Sequence, residues 1–246
     1  MLNAGLWLLM ASPHPWHLAQ SFFNFIYQKV VAHRGMLLLL LVGIFAPLYI
    51  FGELAEDIWK NEGGFTWDIP ILLAIHSTVQ PQLDRFAELL TKTGVFWGVF
   101  PVAIGLTLFF LIRKRWHQAA FFLMALLGSA VINRTAKVLL HRVRPHLWTS
   151  PAPEFDYGFP SGHAMSSMTL VAALVILSWK SRWRWVALIV GGLYVLAIGW
   201  TRMYLGVHYP SDILAGWMAS IAWTVGVSLL IKPFAAKQPV PLDEQG

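Results

Sequence analysis

The chain contains no cysteine, which excludes disulfides, thiolate metal sites and cysteine nucleophiles together. It is also short of charge: only 12% of its residues are Asp, Glu, Lys or Arg, against roughly 25% in soluble domains. With a hydrophobic content of 57%, that shortage excludes an ordinary soluble fold and points to an integral membrane protein. The remaining charge is positive, +6 over 246 residues. These cations form no basic stripe of the kind that follows a phosphate backbone, so nucleic acid is excluded as a partner. No internal repeat or low-complexity linker breaks the sequence, and one domain is expected.

Apolar runs of about 20 residues mark membrane spans, and the sequence supplies candidates at 36–52, 96–112, 118–140, 164–179, 185–204 and 211–231. Arg113, Lys114 and Arg115 follow the second run, Lys180, Arg182 and Arg184 separate the fourth from the fifth, and Lys232 and Lys237 follow the last. Lys29 and Arg34 precede the first. The positive-inside rule then puts both termini in the cytoplasm. Of the 12 acids, only Asp243 and Glu244 fall on the inner side. The fold class expected is all-α, a polytopic bundle of six transmembrane helices with short interfacial helices.

Two stretches fall outside that pattern. "GLWLLMA" is too short to span and lacks a basic flank, so no cleaved signal peptide is expected. "SFFNFIYQKVV" has the character of an amphipathic helix lying in the interface. Residues 53–95 show apolar positions at helical spacing around Pro81 and are expected to be external, part helical and against the bilayer. The 13 tryptophans suit interfacial anchoring.

Polar residues gather at three places. Lys137, His141 and Arg144 are spaced by four and three, which puts them on one face if the third span continues outward as a helix, until Pro145 ends it. They read either as snorkelling cations or as an anion-binding wall, with Arg134 one turn deeper. "PSGH", Pro160 to His163, precedes the fourth span. It reads either as an ordinary helix cap or as a seat where free amides and helix dipole receive an anion, with Gly162 allowing close approach and Ser161 adding a donor. "TRMYLGVHYPSD" brings Arg202, His208 and Asp212. Asp212 reads either as a residue complementing the dipole of a helix that Pro210 opens or as the carboxylate that holds His208 by one nitrogen and frees the other.

All three clusters fall at the outer ends of their helices under the topology drawn from other residues. Cations, helix-start amides, two histidines and a carboxylate converging on one point describe a phosphoryl-transfer site with no required metal. Intramembrane charge also marks transporters, but those charges belong at mid-depth on broken spans. A metal hydrolase using His163, His208 and Asp212 would set a divalent ion among cations.

The sequence resembles the type 2 phosphatidic acid phosphatase superfamily, whose fold is shared with vanadium haloperoxidases. The family pattern is lysine, six residues, Arg-Pro; then Pro-Ser-Gly-His; then Ser-Arg, five residues, histidine, three residues, aspartate. Here stand Lys137 with Arg144-Pro145, Pro160 to His163, and Thr201-Arg202 with His208 and Asp212; Thr201 replaces the usual serine and keeps a hydroxyl. The resemblance implies that His208 attacks phosphorus to give a phosphohistidine, that Asp212 fixes its tautomer, and that His163 protonates the leaving oxygen and then activates water. It implies that Lys137, Arg144, Ser161, Gly162 and Arg202 hold the phosphoryl oxygens, with no metal and no cofactor.

The expected organisation is an N-terminal interfacial segment at 1–35, a six-helix transmembrane lipid phosphatase domain at 36–232 and a cytoplasmic tail at 233–246. The expected substrate is a membrane lipid phosphomonoester or pyrophosphate, of the phosphatidic acid, phosphatidylglycerophosphate or undecaprenyl pyrophosphate type. A bacterial inner membrane is the expected location, with the site facing the periplasm or exterior. A lipid phosphotransferase using the same residues is the alternative. His141 and Arg142 lie close enough in sequence to touch a second phosphate, which favours pyrophosphates, although solvated surface charge is the simpler reading of Arg142.

Overall fold

The structure, a computed structural model, describes residues 15–60 and 64–234. "GLWLLMA", Lys237, Asp243 and Glu244 lie outside the described residues. Helices account for most of the described chain, and the described residues contain no strand. The chain divides between Val42 and Gly43 into two compact units. The first holds α1 (Pro15–Leu40), which takes in the stretch expected to be an interfacial helix. A π-helical turn, Leu41–Phe45, follows.

The second unit contains α2 (Ala46–Trp59), α3 (Asp68–His76), α4 (Pro81–Thr93), α5 (Val99–Ile112), α6 (Trp116–Leu140), α7 (Gly162–Ser178), α8 (Trp183–Tyr204) and α9 (Pro210–Ile231). Among the described residues, four helical runs are long and apolar enough to cross a membrane: Tyr27–Trp59, Trp116–Leu140, Trp183–Tyr204 and Pro210–Ile231. The helices α5 and α7 are apolar but shorter, at 14 and 17 residues. Residues 53–59, expected outside, complete α2, and the rest of 53–95 is part helical through α3 and α4.

Helix α7 is central, packing on α5, α6, α8 and α9. Its sequence explains the position: Ala164, Ser167, Thr169 and Ala173 are small and fully buried, so neighbouring backbones approach closely. Glycines serve the same purpose at Gly216, where an added Cβ would stand 3.0 Å from the Ser161 carbonyl. The exposed surfaces of α6 and α8 carry Leu127, Val131, Ile189 and Leu193, each more than 60% accessible. Apolar residues outside and small or polar residues inside are what a lipid solvent selects.

Local signals set the helix ends that matter. Pro210 opens α9 at its first turn, where a missing N–H is harmless, and the Asp212 carboxylate accepts the Tyr209 N–H at 2.9 Å. The Ser161 hydroxyl caps α7, accepting from the Ala164 N–H at 3.4 Å. Helix α6 stops at Leu140 because His141 turns left-handed (φ 47). The expected single helical face for Lys137, His141 and Arg144 is therefore corrected. Beyond His141 the backbone is not helical, and Arg142 and Arg144 point inward while Val143 points out, the period-two alternation of an extended chain.

Candidate active site

The three clusters meet beside the start of α7. Lys137 comes from the last turn of α6, Arg144 from the segment after it, Ser161, Gly162 and His163 from the mouth of α7, Arg202 from the last turn of α8, and His208 and Asp212 from the α8–α9 connection and the first turn of α9. Lys137, Arg144, Ser161, Arg202, His208 and Asp212 are all buried. Arg134 and His141 are not part of this group: both are exposed, and His141 stands edge-on to Tyr157.

Hydrogen bonding assigns the His208 tautomer. Arg144 Nη1 lies 2.9 Å from His208 Nε2, and a guanidinium can only donate, so Nε2 is the acceptor and the ring proton sits on Nδ1. That proton points at Asp212, whose Oδ2 lies 3.3 Å from Nδ1. Burial and then the charges of Arg144, Arg202 and Lys137 push the His208 pKa well below the ordinary histidine value. The ring is neutral, with its Nε2 lone pair turned toward the cations. Asp212 thus serves as both helix cap and histidine partner, so the two readings of this residue are compatible.

Two acids that the sequence patterns did not single out lie among the cations. Glu154 Oε2 pairs with Arg144 at 2.6 Å and Oε1 pairs with Arg202. The same carboxylate is 3.7 Å from His163 Nδ1 and 3.8 Å from His208 Nε2. Asp156 pairs with Lys137 and with Arg144, each at 2.5 Å. Partial burial works to raise the Asp156 pKa, but its bonds to Lys137 and Arg144 outweigh that and hold it low. Arg202 gives one arm to Thr91 Oγ1 at 2.7 Å and one to Glu154. Its Nε–H is buried and unpaired, leaving a donor for a further anion oxygen. The "PEFD" stretch, one residue before "GFPSGH", is the available sequence signal, acids close to the motif.

Arg142 is also corrected. Instead of a solvated charge, it is buried, paired with Asp212 and, at 2.7 Å, with Asp68 of α3. Burial works against its charge, and Asp212 and Asp68 more than offset that, raising its pKa. Arg142 is committed to two acids and His141 faces Tyr157, so neither is placed to hold a second phosphate. The Thr201 hydroxyl bonds the Ile198 carbonyl at 2.7 Å and is taken up by its own helix.

A cavity of about 640 Å³ leads away from this cluster. Its far walls are apolar, with Phe100 and Ile104 of α5 and Leu123 and Leu127 of α6, and its near end is formed by Lys137, Glu154 and His163. A second cavity of about 480 Å³, of mixed lining, lies on the side of Arg144, His146, Thr149 and Ser150. Glu154 lines both.

The sequence model of the PAP2 superfamily matches residues 118–234, which hold every residue of the three motifs. The chain is similar to an undecaprenyl-diphosphatase of Sulfolobus acidocaldarius, 27% identical over 201 residues, covering 79% of this chain and 90% of that protein. It is similar to phosphatidylglycerophosphatase B of Bacillus subtilis, 28% identical over 165 residues, covering 64% and 78%. The crystal structure of a transmembrane PAP2-type phosphatidylglycerolphosphate phosphatase from Bacillus subtilis superposes with a TM-score of 0.69 at 24% identity, covering 78% of this chain and 98% of that one. At that identity the fold is what the two share.

Proposed function

From a chain whose residues 118–234 belong to the PAP2 superfamily, we propose an integral membrane phosphatase that hydrolyses a lipid phosphomonoester or lipid pyrophosphate. The phosphorylated lipid is of the phosphatidic acid, phosphatidylglycerophosphate or undecaprenyl pyrophosphate type. The observation that carries this function is the cavity whose walls are apolar along α5 and α6 and whose end is built of Lys137, Glu154 and His163. An acyl or prenyl chain fits the apolar length, and the end that carries Lys137 receives its phosphate.

In the proposed reaction, Lys137, Arg144, Arg202, the Ser161 hydroxyl and the Gly162 N–H bind the phosphoryl oxygens, over which transition-state charge is spread. His208 Nε2 attacks phosphorus, the bond to the leaving oxygen breaks, and His163 supplies that oxygen's proton. The imidazole becomes a cationic phosphohistidine with Nδ1–H on Asp212. His163 then deprotonates a water, which attacks phosphorus and returns His208 to its neutral form. The cations provide the neutralisation that magnesium provides in other phosphoryl transfers, and no metal is required. The topology proposed has six spans, residues 36–232 as the catalytic bundle, cytoplasmic termini and an external or periplasmic site.

The test is phosphate release by purified protein from those three lipids and from short water-soluble phosphate esters, each with and without chelator. The expected result is turnover of one or more lipids, much slower turnover of the soluble esters and indifference to chelator. His208→Ala should lose both turnover and phosphoenzyme. Equal rates on soluble esters, or activity in His208→Ala, would overturn the assignment.

A further inference from the structure

A third group of charged side chains is buried behind His208, on the side away from the phosphate cradle. Asp212 uses Oδ2 for His208 Nδ1 and the Tyr209 N–H, and its Oδ1 is held by Arg142 Nη1. Arg142 Nη1 also donates to Ser211 Oγ at 2.7 Å, and Nη2 donates to Asp68 Oδ2 at 2.7 Å. Asp68 closes the ring, accepting the Ser211 N–H at 3.0 Å and the Ser211 hydroxyl at 2.6 Å. The guanidinium is further fixed by lying 4.4 Å over the Tyr209 ring. Asp68 is 2% and Asp212 0% accessible.

We propose that Arg142 and Asp68 are positioning residues for the reaction, acting through Asp212 to aim and charge-balance the His208 nucleophile. This rests on the assignment of His208 and Asp212 made above. Two physical requirements lead to it. An ionised carboxylate buried like Asp212 needs a partner, and Arg142 supplies one without occupying the oxygen that faces His208. A lone Arg142–Asp212 pair would be neutral and would do little for the positive charge that appears on the imidazole when phosphorus is bound. Asp68 changes that balance: two carboxylates and one guanidinium carry a net −1, matching the +1 that the ring gains. Both oxygens of Asp212 are thereby fixed in direction, so Nε2 is aimed by a chain of contacts running back to α3.

The experiment is a set of single and double variants of the full-length protein in detergent or liposomes, with kcat, KM and phosphoenzyme formation measured on the turned-over lipid. Outer partners that orient a metal-bound histidine are typically worth about 10- to 100-fold, and by analogy Arg142→Met should lower kcat about 100-fold and Asp68→Asn about tenfold. KM should stay within about threefold in both, since no phosphate-binding side chain is altered. Arg142→Lys should restore part of the loss. In an Asp212→Asn background neither substitution should lower kcat further, because the residue through which they act has already lost its charge. Additive losses in that background would mean a purely structural role and would overturn the proposal, as would a rise in KM at unchanged kcat. If Arg142→Met does not fold, the isosteric Asp68→Asn cycle decides by the same criteria. Wild-type kcat in Asp212→Asn alone would instead remove the His208–Asp212 assignment, and this proposal with it.

Discussion

Glu154→Gln should make the protein bind phosphate-like anions more tightly. The Glu154 carboxylate pairs with Arg144 and Arg202 and approaches His163 and His208, so it stands where the proposed phosphoryl oxygens must go. An incoming phosphate has to displace it. Each hydrogen bond to a charged group contributes about 1.5–3 kcal/mol, and one such bond, from Arg202, together with an ion pair to Arg144 holds the carboxylate. The side chain remains 27% accessible, so solvent screening reduces the figure, and a glutamine oxygen still accepts one bond. About 1.4–3 kcal/mol of competition should remain to be removed, corresponding to roughly 10- to 100-fold in affinity. The assay is steady-state inhibition by orthovanadate and by inorganic phosphate, wild type against Glu154→Gln. The inhibition constants should fall by about tenfold or more on this estimate. Constants that are unchanged, or higher, would show that Glu154 helps to build the anion site instead of competing for it.

Three further outcomes are expected. Phe155, 98% accessible beside the site, and Lys180, exposed between α7 and α8, should lie on opposite sides of the membrane. Because the chain has no cysteine, an impermeant thiol reagent on intact cells should label Phe155→Cys and spare Lys180→Cys, and labelling of Lys180→Cys alone would invert the topology. The folded protein refuses His208 a proton that the unfolded chain accepts near pH 6.5. Stability should therefore fall as pH drops below that value, by up to about 1.4 kcal/mol per pH unit from this ring; thermal melts should show a shallower slope in His208→Gln, and an identical slope would refute the point. A Cβ at Gly128 would lie 2.1 Å from the Trp223 ring, whose Nε1 bonds the Ala125 carbonyl at 3.0 Å. Gly128→Ala should thus cost about 1–3 kcal/mol by overpacking α6 against α9, read as a lowered melting temperature, and an unchanged melt would count against this packing.

The sequence revealed what depends on local pattern. Apolar runs marked the long helices, and the spacing of His208 to Asp212 and the "PSGH" at a helix start each have a one-turn physical logic that needs no tertiary information. Arg144, marked by its place in the Lys137…Arg144-Pro145 motif, lies off the helical face that its spacing suggests, because a left-handed histidine at 141 carries no strong sequence signature. Arg142 looked like surface charge because its partners, Asp68 and Asp212, are far from it in sequence. Buried ion pairs between distant segments leave no periodicity. Glu154 and Asp156 were visible as acids near a motif, but only the folded chain brings their carboxylates onto Arg202 and Lys137.

Helix α7 holds 17 residues, a rise of about 26 Å, and α5 holds 14, about 21 Å. Both are shorter than the roughly 30 Å hydrocarbon layer, and both line the same cavity. In a flat bilayer under the proposed topology, the amides at the mouth of α7 would sit several Å below the plane of the phosphates. The mismatch can be relieved by thinning of the leaflet beside α5 and α7, which lowers nearby head groups toward Lys137 and His163. Bilayer thickness then enters the catalytic barrier directly: turnover should decline in membranes of longer acyl chains even when the reacting head group is unchanged.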